Sequence, residues 1–169
     1  MDFAEYMHAQ RPALMRFATV LTGQTWLADD LVSDVLGRAF ERWHTIGNMT
    51  RPHAYVRKMI VNEYLSWRRR LQRTQPSDDL EDRSAQVDDG TIEHAERDAM
   101  IALLNTLAHR QRAAVVLRYY VGLSDSEVAA ELGCRESTVR SQISRALAAL
   151  RIDTTESIDY QVVTRLESR

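Results

Sequence analysis

The stretch from residue 122 to residue 150 reads GLSDSEVAAELGCRESTVRSQISRALAAL. Ser124 followed three residues later by Glu127 is a capping box, which predicts the start of a short helix that ends near Leu132. Gly133 opens the turn, and the next helix, at about 136–151, repeats apolar residues at helical spacing. A short helix, a turn with glycine and a longer helix with an exposed basic face form the pattern of a helix-turn-helix.

Helix pairs with a glycine turn also occur in proteins that never touch DNA. In this chain the exposed side of the second helix consists of arginine and serine rather than of mixed acids and bases. That composition favours binding to DNA over a purely structural helix pair.

The rest of the chain is also predicted to be helical. Apolar residues recur at helical spacing, and no stretch keeps the strict alternation of a half-buried strand. The additional helices are predicted at about 3–21, 26–43, 52–71, 95–107 and 110–121. Residues 72–93 lose this periodicity and hold Pro76, Gly90 and paired aspartates, as linkers do. We therefore predict an all-α protein of two small helical domains joined by an acidic flexible linker, the second domain being the helix-turn-helix.

The predicted domain bounds are 1–71 and 94–151, with the linker at 72–93 and a tail at 152–169. The tail fits either a short amphipathic helix packed on the second domain or a frayed end. Length and composition agree with this division: 169 residues, 44% of them hydrophobic and 27% charged, are enough for one domain or two small ones.

Several classes of protein are excluded by what the sequence lacks. Its longest uncharged stretches fall well short of the roughly 20 apolar residues of a membrane span, so no membrane insertion is expected. The chain opens with Asp2 and Glu5 rather than with a signal peptide, which predicts a cytoplasmic protein. The single cysteine, Cys134, excludes an internal disulfide, and the spacing of Cys and His predicts no metal site. With no phosphate loop, histidine pair or nucleophile elbow, the chain is predicted to be neither an enzyme nor a cofactor-binding protein.

Charge is strongly segregated behind a net charge of −2. Residues 51–73 hold seven basic and one acidic side chains, residues 74–98 hold two and nine, and residues 109–151 hold seven and four. Two basic segments separated by an acidic one indicate two surfaces that meet a polyanion, with the middle as a spacer or as a competitor for those surfaces.

Three stretches carry a resemblance to a known family. Residues 107–151, LAHRQRAAVVLRYYVGLSDSEVAAELGCRESTVRSQISRALAALR, resemble the C-terminal promoter-binding domain of extracytoplasmic function (ECF) RNA polymerase sigma factors. WLADDLVSDVLGRAFERW (26–43) is similar to their polymerase-binding helix, and RPHAYVRKMIVNEYLSWRRR (51–70) is similar to their helix for the promoter −10 element. Because these stretches follow the family's order, the chain is identified as a member of the sigma-70 family, in an actinobacterial-type subgroup.

Two other classes compete with this interpretation. A dimeric helix-turn-helix repressor or activator does not explain the first half of the chain. A purely structural helical adaptor would have partners but no effect on promoters.

The chain departs from the family pattern at three places. Leu107-Ala108-His109 replaces the usual Leu-Pro at the start of the C-terminal motif, Arg135 replaces the usual serine before the recognition helix, and Gln142 replaces a basic residue. We therefore expect the −35 sequence that is read to differ from that of close relatives.

The resemblance implies that the helix at about 26–43 docks on the polymerase β′ clamp. Acidic residues repel phosphate, so their mixture with apolar residues suits a protein partner. The implied contact residues are Asp29, Asp30, Leu31, Asp34, Val35 and Arg38. A second interpretation makes Leu31 and Val35 part of the core.

The resemblance also assigns the break at about 44–52 and the following helix to the −10 element. The loop at 45–51 would hold a flipped base, with Asn48 as the candidate for hydrogen bonds to its edge. The DNA backbone and neighbouring bases would be held by Arg51, Arg57, Lys58, Asn62, Arg68 and Arg69. Trp67 would stack on a base, although tryptophan at helical spacing is also typical of a core.

The last predicted helix would read the −35 element. Its exposed side carries Arg140, Ser141, Gln142 and Arg145, and arginine pairs with guanine as glutamine does with adenine. The helix start carries Arg135, Ser137 and Thr138, which are better placed for phosphate.

The implied partners are core RNA polymerase, through its β′ clamp and β flap, and promoter DNA. The free protein is expected to be a monomer. An anti-sigma protein that covers the second helix or wedges between the domains is expected to control it. A weaker alternative is that the linker acids Asp78, Asp79, Glu81 and Asp82 shield the basic helix in the free protein.

Overall fold

The computed structural model describes residues 1–74 and 92–150, and all regular structure within these two ranges is helical. The chain divides into two compact units, Met1–Gln86 and Val87–Arg169. The predicted all-α fold class is confirmed. Most of the predicted linker and the whole tail lie outside the described residues.

The first unit contains four helices among its described residues. They are α1 (Phe3–Thr22), α2 (Thr25–Glu41), the single turn α3 (Trp43–Ile46) and α4 (Pro52–Thr74). Helix α1 begins at a capping box, in which the Asp2 carboxylate accepts from the Glu5 amide at 2.8 Å. It ends at Gly23, whose φ of 76° is left-handed and therefore suits glycine.

Helices α1, α2 and α4 pack on one another through apolar residues at helical spacing. Tyr6, Leu14, Phe17 and Leu21 of α1 are buried. The opposing buried residues of α2 and α4 are Leu27, Leu31, Val35, Ala39, Val56, Ile60 and Tyr64. Their burial leaves the opposite faces of α2 and α4 exposed to solvent.

The predicted break between the second and third helices is shorter than expected. The helix predicted at 26–43 ends at Glu41, and α3 then fills the region up to Ile46. The reason is that the Ile46 side chain is fully buried and draws this turn onto the core. Pro52 begins α4, as predicted, since its fixed φ and missing amide hydrogen suit the first helical position.

The second unit contains α5 (Ile92–Asn105), α6 (His109–Val115), α7 (Asp125–Leu132) and α8 (Glu136–Ala149). Its core is built around the fully buried Leu117, Val128 and Val139. Arg112 is also buried, and its Nε donates to the Leu104 carbonyl at 2.7 Å, which ties α6 to the end of α5.

The helix predicted at 110–121 is not one regular helix. After α6 the chain continues as a π-helical turn, Val116–Tyr120, in which the Val121 amide donates to the Val116 carbonyl at 3.1 Å. This wider turn is followed by Gly122, whose φ of 79° is left-handed. The π-helical turn places Arg118 beside the start of α7.

Candidate functional site

The exposed face of α2 holds most of the residues predicted to contact polymerase. Asp29, Asp30, Asp34 and Arg38 are exposed. Leu31 and Val35 belong to the core instead, with 4% and 0% of their surfaces exposed. The interpretation of these two as contact residues is therefore corrected: they lie on the apolar stripe that faces α1 and α4, where they cannot reach a partner.

Ion pairs hold three of the exposed charged residues of α2 in place. Asp29 pairs with Arg11 of α1 at 3.1 Å. Arg38 pairs with Asp34 at 2.9 Å and with Glu63 of α4 at 2.8 Å. The polar face of α2 is thus connected to both neighbouring helices.

Two aromatic residues on α2 were missed by the sequence analysis. Trp26 is 59% exposed and Phe40 is 64% exposed. Phe40 contacts the ring of Phe3 at 5.1 Å between centroids, while Phe3 in turn contacts Trp43 at 5.2 Å. The sequence signal was present, because Trp26 and Phe40 fall outside the repeat of four formed by the buried residues of α2. Exposed aromatic side chains on a polar face are typical of a protein interface.

The turn after α3 presents Asn48 to solvent. The Asn48 amide nitrogen donates to the His44 carbonyl at 2.8 Å, which orients the side chain. Gly47 is required for close packing, since a Cβ there would lie 2.9 Å from Nε1 of Trp43. The structure therefore holds the predicted base-binding loop against an aromatic residue, with Arg51 exposed at its end.

The outward face of α4 carries part of the predicted −10 set. Asn62 and Arg69 are exposed seven residues apart, which is two helical turns and therefore the same side. Tyr55 and Arg73 share this side and are also exposed, although the sequence analysis assigned neither to DNA. Lys58 is half-buried near the edge of this face.

Arg57, Trp67 and Arg68 are turned away from the outward face of α4. Burial raises the pKa of Tyr6 to about 12, and the positive charge of Arg57 acts on that pKa in the opposite direction. The guanidinium of Arg68 lies over the rings of Trp67 and Tyr64, 5.3 and 5.9 Å from their centroids, and its Nε is buried. Trp67 is half-buried, between the two predicted roles of stacking and core.

Glu63 joins α2 and α4 and was not predicted as a site residue. One carboxylate oxygen pairs with Arg38 and the other with Arg70, both at 2.8 Å. The hydrogen bond from Arg70, together with that from Arg38, outweighs burial and holds the pKa of Glu63 below its ordinary value. Glu63 is thus ionised at neutral pH.

The helix-turn-helix is formed as the capping box predicts. The Ser124 side chain accepts from the Glu127 amide, and the Glu127 carboxylate accepts from the Ser124 amide at 2.9 Å. Gly133 ends α7 with a left-handed φ of 63°. Arg118 fixes the approach to α7, since its Nη1 donates to the Leu123 carbonyl at 3.2 Å and its Nε lies 3.4 Å from Asp125.

Helix α8 presents two arginines to solvent and holds its polar neighbours closer to the unit. Arg140 and Arg145 are exposed, whereas Ser141 and Gln142 are half-buried. The structure also places an acid beside this face, because Glu136 pairs with Arg140 at 3.5 Å. At the helix start, the Arg135 side chain makes no capping hydrogen bond. Of the two residues after it that were predicted to contact phosphate, Ser137 is exposed and Thr138 is half-buried.

Neither a metal centre nor a bilayer-spanning element is found in the described part of the chain. Among residues 1–74 and 92–150, no group of three or more His, Cys, Asp and Glu side chains is placed to hold a metal ion. Within the same ranges, no helix has both the length and the apolar character that crossing a membrane requires.

Comparison with family models gives a match in each half of the chain. The model of sigma-70 region 2 matches residues 7–74, and the model of sigma-70 region 4 matches residues 97–150. The first match spans most of α1 and all of α2 to α4, and the second spans most of α5 and all of α6 to α8.

Similar curated proteins cover most of the chain. It is 38% identical over 152 residues to the RNA polymerase sigma-E factor of Streptomyces avermitilis, covering 89% of this chain and 84% of the relative. It is 32% identical over 145 residues to the ECF RNA polymerase sigma factor SigL of Mycobacterium tuberculosis, covering 82% and 81%. Among solved structures, it is similar to the sigma factor RpoE of Bartonella quintana in complex with the anti-sigma factor NepR. That likeness has a TM-score of 0.65 and 27% identity over 89% of this chain and 94% of the other.

Proposed function

The chain belongs to the ECF group of the sigma-70 family of RNA polymerase sigma factors, and we propose how its residues divide the work of such a factor. It is an alternative sigma factor that directs promoter-specific transcription initiation. Sigma factors are transcription regulators rather than enzymes, so the residues act by binding. We infer that the protein acts in the cytoplasm, where the chromosome lies, and we propose that it is a monomer when free.

The observation that carries the proposal is the contrast between two neighbouring helices of the first unit. Helix α2 exposes Asp29, Asp30 and Asp34, whereas the outward face of α4 exposes Arg69 and Arg73. An acidic face repels phosphate, and a basic face attracts it. One compact unit therefore offers one surface to a protein and another to nucleic acid.

Helix α2 docks on the β′ clamp of core polymerase. Asp29, Asp30, Asp34 and Arg38 supply complementary charge, while Trp26 and Phe40 supply apolar area. Exposed aromatic residues contribute most where an interface buries them fully, and charged pairs at its rim mainly set orientation and association rate.

Helix α4 and the loop before it engage the −10 element. Separating the strands costs about 1–2 kcal/mol of stacking per step, so opening requires compensation from captured single-stranded bases. Asn48 supplies hydrogen-bonding groups for a base edge, and Lys58, Asn62 and Arg69 hold the backbone and adjacent bases. Arg68, stacked on Trp67 and Tyr64, stiffens the helix behind this surface.

Helix α8 reads the −35 element with Arg140 and Arg145, which are free of the core and long enough to reach guanine edges. Ser137 and Thr138 bind phosphate at the helix start, with Arg135 beside them. Ser141 and Gln142, which are half-buried, contact the DNA closer to the helix axis than the two arginines do. The second unit also contacts the β flap of polymerase, which holds it over the −35 element.

An anti-sigma protein that covers α2 controls the factor. A relative of the same fold, RpoE of Bartonella quintana, is solved in complex with the anti-sigma factor NepR, which supports this partner. A free sigma factor otherwise competes for core polymerase continuously.

A runoff transcription assay with and without core polymerase tests the proposal. We expect promoter-specific transcripts only when both proteins are present. Tight binding of the free protein to palindromic duplex DNA as a dimer would instead indicate a repressor. Binding to partners without any change in promoter use would indicate a structural adaptor.

A further inference from the structure

Three consecutive arginines near the end of α4 have three different environments. The guanidinium of Arg68 lies over the Trp67 ring, with its Nε buried. Arg69 is exposed on the same side of α4 as Asn62. Arg70 donates from Nη2 to Glu63 at 2.8 Å and from Nη1 to Ser66 at 3.2 Å. The run is therefore not a uniform basic patch.

Glu63 binds two arginines from a partly sheltered position. Only 17% of its side chain is exposed, and each of its two carboxylate oxygens accepts from a different guanidinium at 2.8 Å. Ion pairs between fully exposed side chains contribute little to stability, but a sheltered carboxylate with charge-assisted hydrogen bonds holds its partners more firmly. Glu63 therefore competes strongly with DNA phosphate for the guanidinium of Arg70.

Helical geometry separates Arg70 from the outward face of α4. Each residue turns the helix by about 100°, so Arg70 lies well to one side of Arg69. Its ion pair with Glu63 directs it toward α2, since Glu63 also pairs with Arg38 of that helix.

We propose that Glu63 withholds Arg70 from promoter DNA and thereby sets how many phosphate contacts α4 makes. This inference rests on the proposed function, because it assumes that α4 meets the promoter. The withheld arginine limits general affinity for DNA, so that promoter choice depends more on contacts to bases. Phosphate contacts carry no sequence information, and each one strengthens binding to every sequence.

The salt dependence of promoter binding tests the proposal. The measurement uses purified holoenzyme assembled from core polymerase and the full chain. Because Glu63 also pairs with Arg38 of the polymerase-binding face, purification ensures that every variant is measured in the same complex. The slope of log affinity against log salt is negative, and each phosphate contact adds about 0.7–0.9 to its magnitude. We expect R69A to lower this magnitude by that amount and R70A to leave it unchanged.

The substitution E63Q removes the charge and keeps the size of the side chain. We expect E63Q to raise the magnitude of the slope by about 0.7–0.9, since it frees Arg70 to bind one phosphate. The double variant E63Q/R70A is expected to return to the wild-type slope. E41Q is the matched control, because it removes an exposed carboxylate from α2 without touching an arginine of α4.

Three results would overturn the proposal. R70A and R69A lowering the slope equally would mean that Arg70 already binds phosphate. An unchanged slope in folded E63Q would mean that Glu63 does not restrain Arg70. A gain from E63Q that persists in E63Q/R70A would mean that only the general field changed. If E63Q does not fold, equal lowering of the slope by R69A and R70A still overturns the proposal. Failure of the wild-type holoenzyme to initiate would instead refute the proposed function.

Discussion

Val35 and Phe40 lie on the same helix, but truncating them should have different effects. Truncation of Val35 should lower stability, and truncation of Phe40 should lower the affinity for polymerase. Val35 is fully buried, and Val35→Ala removes two carbons at about 0.8 kcal/mol each. The cavity left behind raises the loss in the free energy of unfolding to about 2 kcal/mol. For a unit of this size, about 4–8 °C is lost per kcal/mol, so Tm should fall by about 8–16 °C.

Tryptophan fluorescence measures this loss in the first unit alone. The chain has three tryptophans, Trp26, Trp43 and Trp67, and all of them precede residue 74. Phe40→Ala is the companion variant, since the Phe40 side chain is 64% exposed. It should change the free energy of unfolding by less than about 1 kcal/mol, because surface substitutions cost little. Its affinity for core polymerase should fall about tenfold or more, as for an aromatic residue at the centre of an interface.

The two variants together test the assignment of the α2 faces. If Val35→Ala kept its Tm and weakened polymerase binding, Val35 would be a contact residue and the core interpretation would be wrong. If Phe40→Ala lost Tm and kept its affinity for polymerase, the ring would serve packing with Phe3 rather than docking.

Three further substitutions have distinct expected outcomes. Arg145→Ala should lower discrimination at the −35 element by about 1–3 kcal/mol, measured by competition between promoter variants. Gly47→Ala places a Cβ 2.9 Å from Nε1 of Trp43, so the turn must shift, and promoter opening followed by 2-aminopurine fluorescence should slow. Tyr6 has a pKa raised from 10.0 to about 12, so the stability it contributes is full below pH 10 and is lost as pH rises toward 12. Tyr6→Phe should therefore flatten the fall in unfolding free energy over that range, measured by denaturant titration.

Each of these expectations has a clear contrary result. Equal loss of affinity for every promoter by Arg145→Ala would indicate a phosphate contact. Unchanged opening by Gly47→Ala would mean that Trp43 moves aside freely and does not fix the turn. An equally steep loss of stability above pH 10 in Tyr6→Phe would assign that loss to other groups.

Local sequence signals predicted most helix ends correctly. The capping box at Ser124, the glycine stops at Gly23 and Gly133, and Pro52 at the start of α4 all act within a few residues of themselves. The π-helical turn at Val116–Tyr120 and the single turn α3 were missed. These elements depend on how the chain reaches a distant core, which periodicity does not report.

The candidate site was predicted as a set of charged residues but not as an arrangement. The resemblance to ECF sigma factors implied contact roles for Asp34, Arg38 and Arg69, and these roles stay predictions. The sequence did not show that Arg38 and Arg70 share Glu63, because these three residues come together only when α2 packs on α4. It also left open whether Leu31 and Val35 face the core, which burial decides.

The sequence by itself determined the helical class, the two-part division and the helix-turn-helix, because hydrophobic period, caps and charge blocks are local properties of the chain. The family was identified from three stretches that resemble ECF sigma factors in the family's order. Tertiary structure decided which side of each helix is available. Arg57 and Arg68 are as basic as Arg69, yet both are half-buried, and the guanidinium of Arg68 lies over the Trp67 ring. The side chains of a helix point in all directions around its axis. The neighbouring helices that cover one side determine which charged side chains stay exposed to meet polymerase or DNA.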